Sequence, residues 1–118
     1  MRDHTKLRAF ELADDLAVMI YRITSTFPKA EIYGLTSQMR RATVSVPSNI
    51  VEGCARESQI EYHRFLEIAF GSLREVSYQF SLAMKLDFLS EVDSNVINCR
   101  LKIYETEKVL GALLKIMR

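Results

Sequence analysis

Residues 58–87 read SQIEYHRFLEIAFGSLREVSYQFSLAMKLD. Ser58 followed by Glu61 has the form of a capping box, in which a hydroxyl and a carboxylate each take a free amide at a helix start. Tyr62, Leu66, Ala69, Leu73, Val76, Phe80 and Ala83 then recur in unbroken 4-3 spacing. That rhythm lines one side of a helix with apolar side chains and makes a seam for other helices. The spacing predicts a helix ending near Asp87.

Working outward, the same rhythm appears three more times. Toward the C-terminus, Val92, Val96, Cys99, Ile103, Thr106, Leu110, Leu113 and Met117 repeat it, with Thr106 as the one polar intruder. Ser90 and Asp93 supply a weaker capping box at its start. Toward the N-terminus, a segment from about Thr36 to Arg56 keeps a helical beat through Leu35, Met39, Ala42, Val46 and Ile50, with Thr36 or Ser37 as cap. Pro47 lies inside it, where a ring clash and a missing amide normally kink or break a helix. The beat continues past the proline, so one kinked helix is expected. The first helix runs from about Lys6 to Phe27, capped by Asp3 or Thr5 and stopped by Pro28.

Connections of a few residues force consecutive helices to lie antiparallel. The expectation is an all-α protein, an antiparallel up-down-up-down four-helix bundle, with residues 1–118 forming one domain. Composition agrees. The chain has 118 residues, 48% hydrophobic and 26% charged, so it can bury a core and is not a disordered chain. Four glycines and two prolines are too few for the turns of a sandwich or barrel. Sixteen basic against fifteen acidic residues leave a net charge of +1, which argues against a protein whose main work is gripping phosphate backbones.

The charged N-terminus lacks the apolar run of a signal peptide, and Leu16 to Tyr21 is too short to span a bilayer. Cytoplasmic location and no membrane partner are expected. Cys54 and Cys99 belong to no CxxC pair and read as buried, reduced thiols.

Enzyme signatures fail one by one. His4 and His63 stand in no metal-binding spacing, and the paired Glu-x-x-His motifs of di-iron bundles are missing. Gly71-Ser72-Leu73 lacks the frame of a nucleophile elbow, and no glycine-rich phosphate loop exists. No enzyme, cofactor, metal or small-molecule substrate is expected.

The positive feature is a polar stripe. Gln38, Arg41, Ser45, Asn49, Glu52 and Arg56 fall within about an 80° arc of the second helix. Ser72, Glu75 and Gln79 share one face of the third. Gln38, Arg41, Ser45, Asn49, Glu52, Ser72 and Glu75 therefore form a candidate network between the helices, for example Arg41 with Glu75 and Glu52 with Arg64. Its role is either to fix helix register or to recognise a partner. A catalytic use of Glu52 and Glu75 is the weakest reading.

Helices one, two and four each carry more apolar residues than one core stripe needs. On helix four the surplus is Ile97, Leu101, Tyr104 and Leu114. Surplus apolar surface predicts a homo-oligomer, most simply a closed ring, although wide core-facing arcs would also absorb it. Basic residues are spread out. Arg2, Lys6, Arg8, Lys108, Lys115 and Arg118 would share one end of an antiparallel bundle as a small basic pole. Candidate nucleic-acid contacts are Arg40, Arg56, Lys108, Lys115 and Arg118.

Two strings, GLTSQMRRA at 34–42 and SVPSNIVEG at 45–53, combine as QxRRAxxSxPxNIxEG. With FLEIAFGSLRE at 65–75, they resemble the core signature of the 23S rRNA-intervening sequence proteins. The resemblance covers essentially the whole chain. It implies a bacterial cytoplasmic four-helix bundle with the proline inside helix two, assembled as a pentameric ring, with no known reaction. The signature positions it carries over are Gln38, Arg40, Arg41, Ser45, Asn49, Glu52, Gly53, Ser72 and Glu75. Gly53 and Gly71 would serve close helix approach. Among relatives, accessory proteins of diversity-generating retroelements are strongly basic and bind nucleic acid and a reverse transcriptase; a net charge of +1 departs from that pattern. The resulting expectation is a non-enzymatic oligomeric binding or scaffold module, with a nucleic-acid-binding accessory protein as the alternative.

Overall fold

The computed structural model describes residues 2–117, so Arg118 lies outside the described residues. Four α-helices account for most of the chain: α1 (Arg8–Thr24), α2 (Leu35–Cys54), α3 (Gln59–Lys85) and α4 (Ser94–Ile116). Short 3-10 turns at His4–Lys6 and Lys29–Glu31 precede α1 and α2. No strand occurs among the described residues.

Contacts between the helices fix their directions. Residue 2 meets residue 54 while residue 40 meets residue 24, so α1 and α2 run antiparallel. Ser45 faces Ser72 and Gly53 faces Phe65, which makes α2 and α3 antiparallel. Gly111 lies against Phe70 and Glu107 against Arg74, so α3 and α4 are antiparallel too. Arg8 with Glu105 and Asp15 with Lys102 close the square between α1 and α4. The bundle is up-down-up-down, and α2 and α4 stand on its diagonal.

All four predicted stripes meet in one core. Leu12, Leu16 and Ile20 of α1, Met39, Val46 and Ile50 of α2, Leu66, Leu73 and Val76 of α3, and Cys99 and Leu110 of α4 are all fully buried. The two stripes of α1 merge into a single wide core face, because Leu12, Ala13, Leu16, Ile20 and Ile23 are all buried. Neither of the two predicted α1 stripes is therefore surplus, although Val18 and Tyr21 outside them are exposed. Near its end the α4 seam passes from the expected Leu113 to Leu114, which is buried. A straight helix of 3.6 residues per turn drifts against a 3.5-residue repeat and needs that extra step. Cys54 and Cys99 are buried free thiols, and burial pushes Cys99 up to about 12.

Helix ends differ from expectation where tertiary partners supply the caps. Ser58 Oγ does accept the Glu61 amide at 3.0 Å, as the capping box requires. Its reciprocal half is spent elsewhere, since the Glu61 carboxylate pairs with Arg64. Helix α4 starts at Ser94, not Ser90, with Asp93 as the cap accepting the Asn95 amide at 2.8 Å. Val92 consequently lies outside the seam and is exposed. Asp3 caps the first 3-10 turn, while α1 begins after Leu7 without a side-chain cap. Helix α2 begins after Gly34, and its Leu35 amide donates to Glu31 Oε1 at 3.1 Å. Thr36 and Ser37 are thus inside the helix. Helix α3 ends with Asp87 at φ 61° and a bond from the Phe88 amide to the Ala83 carbonyl, a left-handed C-terminal turn that usually carries glycine.

Helix α2 passes through Pro47 without a break. An interior proline costs about 3 kcal/mol in an isolated helix, so its neighbours must hold it. Gly53 is the closest point of that support. A Cβ there would stand 2.8 Å from Phe65 Cβ and 3.4 Å from the Tyr62 carbonyl oxygen, so α2 and α3 touch backbone to backbone. Gly71 does not share this role, because a Cβ added there meets nothing within 4 Å. Gly53→Ala should lower stability by about 1–3 kcal/mol through overpacking, although alanine is the better helix former. Gly71→Ala should raise it by about 0.5–1 kcal/mol. Urea unfolding of the two variants checks the pair.

Candidate functional site

The polar stripe begins at the proline turn. With proline at 47, the Thr43 carbonyl loses its helical amide donor. Two residues on, Asn49 Nδ2 donates to the Ser45 carbonyl at 2.7 Å and to Ser45 Oγ at 3.0 Å. Ser45 Oγ and Ser72 Oγ share a hydrogen bond of 2.8 Å across the α2–α3 seam. Asn49, Ser45 and Ser72 thus form a half-buried polar cluster that ties the weakened turn to its neighbour.

The rest of the stripe does not join it. Gln38, Arg41, Glu52 and Glu75 are exposed. Arg41 and Glu75 form no ion pair; Glu75 instead accepts from Gln79 Nε2 at 3.3 Å along its own helix. Glu52 pairs with Arg56 at 3.0 Å and Arg64 with Glu61 at 2.9 Å, again within single helices. Water solvates these charges on the outer surface, so short-range partners three or four residues away win over the neighbouring helix. Gln79 is the exception. It is only 3% exposed, and its Oε1 has no hydrogen-bond partner among the described residues; the Thr43 hydroxyl is likewise sealed and unpartnered.

The basic candidates are scattered. Arg40 lies near the start of α2, with Nε donating to Thr24 Oγ1 at 3.0 Å, one terminal nitrogen donating to the Tyr21 carbonyl at 3.2 Å, and its guanidinium 4.8 Å from the Tyr21 ring centre. Arg56 is sixteen positions along, about 24 Å away. It pairs with Glu52 and stacks on Phe65. Lys108 and Lys115 are exposed on α4. Arg2 reaches the α2–α3 turn, donating to the Arg56 carbonyl at 2.8 Å and lying over Tyr62. Of the N-terminal basic residues, Arg8 is neutralised by Glu11 and Glu105.

Other chemistry is sparse. Among the described residues, no three His, Cys, Asp or Glu side chains group as a metal site. His63 Nδ1 points to Glu67 at 3.5 Å, and the His4 ring meets the edge of Phe10. Among the described residues, no helix is long and apolar enough to cross a membrane.

A proline-bearing α2 locked to α3 by a glycine contact and a serine–asparagine cluster defines a class of antiparallel four-helix bundle. The 23S rRNA-intervening sequence protein family model matches residues 5–112, and the chain belongs to that family. A crystal structure from Bacteroides thetaiotaomicron, described as a protein of unknown function from the S23 ribosomal protein family, superposes with a TM-score of 0.80. It shares 18% identity and covers 91% of this chain and 95% of its own, so the fold is common to both. No curated protein matches the sequence.

Sequence reasoning found Ser45, Asn49 and Ser72 but tied them to charges that point outward. It read Thr36 and Ser37 as caps and did not place Tyr21 beside Arg40. Only the α1–α2 packing makes that pairing, sixteen to nineteen residues apart. Ser72→Ala should lower stability by about 1 kcal/mol, the net worth of one partly buried hydrogen bond. Arg41→Ala should change it by less than about 0.5 kcal/mol, as for an exposed side chain. Thermal unfolding of both variants checks the division of the stripe.

Proposed function

We propose that the chain is a non-enzymatic scaffold or binding module that works in the cytoplasm as a ring of identical copies. The observation that carries this reading is the second apolar face of α4. Its inner stripe is in the core, yet Ile97, Leu101 and Tyr104 on the opposite side are 44%, 59% and 64% exposed. Spacings of four and three place them on one narrow line. On the diagonally opposite helix, Val44 and Val51 of α2 are also exposed, two turns apart on one line. Unlike patches on opposite sides favour head-to-tail contact, which closes into rings when the rotation permits. Five copies is the size that the family resemblance implies.

The charges speak for a scaffold over the two alternatives. Phosphate-backbone binding needs many free cations along one track, whereas Arg40 and Arg56 are far apart and Arg8, Arg56, Arg64 and Arg74 are paired with carboxylates. A Glu52–Glu75 catalytic pair is opposed by distance. Opposite the Ser45–Ser72 contact, the two lie about 15 Å apart along the seam, too far to act on one bond.

In sedimentation at micromolar concentration, the wild-type chain should run at a multiple of 13.6 kDa. Leu101→Glu should run as a monomer with unchanged helical circular dichroism. A monomeric wild type would overturn the ring reading.

A further inference from the structure

One surface cleft joins residues that neither the core nor the apolar stripes use. Its volume is about 360 Å³, and it lies between the end of α1, the α1–α2 connection and the first turns of α2. Tyr21, Ile32, Thr36, Ser37, Arg40 and Arg41 line it, and no carboxylate is among them.

The two arginines differ in a useful way. Arg40 is held in place by Thr24 Oγ1, the Tyr21 carbonyl and the Tyr21 ring, so its guanidinium is pre-oriented. Arg41 is exposed and pairs with no acidic side chain among the described residues. Two neighbouring guanidinium groups repel, and four other arginines of the bundle, Arg8, Arg56, Arg64 and Arg74, find carboxylates. Here the charge is left uncompensated.

Thr36 is the independent sign of a ligand. It is only 6% exposed. Two of the three other buried threonines satisfy their hydroxyls on the carbonyl four residues back, Thr24 on Ile20 and Thr106 on Lys102, while Thr43 stays unpartnered inside the bundle. Thr36 sits in the first turn of α2 and has no helical carbonyl behind it. Its hydroxyl forms no hydrogen bond among the described residues, and unlike that of Thr43 it is not sealed inside the bundle; the residue lines the cleft. Ser37 adds a second free hydroxyl. Of the first-turn amides of α2, that of Leu35 is already taken by Glu31.

We propose that this cleft binds the phosphate group of a small phosphate monoester, with the organic part of the ligand against Tyr21 and Ile32. Two cations match a dianion, and guanidinium forks with two hydroxyls present donors to several oxygens at once. A carboxylate would use one arginine and leave the other bare. Tyr21 and Ile32 are both exposed apolar walls beside these donors. The assignment rests on the single chain and not on the ring reading, whose α4 patch is elsewhere and whose α2 patch begins one turn further on at Val44.

The test is an amide NMR titration of the full chain with inorganic phosphate and phenyl phosphate, against acetate at matched ionic strength. Saturable shifts at Thr36, Ser37, Arg40 and Arg41 are expected, with phenyl phosphate the tighter ligand. Arg41→Gln should weaken binding about tenfold, the usual scale for one charge-assisted hydrogen bond, and Thr36→Val should weaken it as well. Arg64→Gln, an exposed arginine outside the cleft, should leave it unchanged. Equal shifts with acetate, or unchanged affinity in Arg41→Gln, would overturn the site. Equal affinity for the two phosphates would overturn its assignment to a monoester.

Discussion

Everything in this bundle depends on the contact between α2 and α3. Helix α2 contains a proline that removes one backbone donor and crowds the carbonyl of Thr43. It persists because α3 lies against it with almost no gap. At Gly53 the approach is too close for any side chain. About half a turn on the proline's other side, Ser45 and Ser72 bridge the helices at 2.8 Å, with Asn49 bracing Ser45. Apolar residues along this seam, Val46, Ile50, Leu66 and Leu73, are fully buried. The free energy of that burial, about 1.5–3 kcal/mol per large side chain, is enough to offset the proline.

This contact also decides which polar residues are inside. Where the helices touch, only small hydroxyl and amide groups fit, and they find one another. Arginine and glutamate on the same stripe are long enough to reach water and do so. A stripe that is continuous in projection therefore separates into an interior cluster and a solvated margin. Charged groups avoid the cost of desolvation this way.

The helices, their order and nearly all of the core were legible because apolar spacing is a local signal. The unbroken α2 was legible from its beat through Pro47. Helix starts were less so: Asp93 displaced Ser90, and Glu31 displaced Thr36 and Ser37, since a cap is chosen by whichever side chain the turn geometry delivers. Surplus apolar residues on α1 turned out to be a broad core face, while on α4 Leu114 joins the core and Ile97, Leu101 and Tyr104 remain outside. Periodicity alone does not distinguish these cases; the position of neighbouring helices does. For the same reason the grouping of Arg40 with Thr24 and Tyr21 had no signal in the linear chain.

The most direct test of this account is a solution NMR measurement of α2 and its distance to α3. Helical Cα shifts should continue without interruption from residue 35 to 54, and cross-peaks should link Ser45 to Ser72 and Gly53 to Phe65. Loss of helical shifts over residues 43–47, or absence of both cross-peaks in the folded protein, would contradict it.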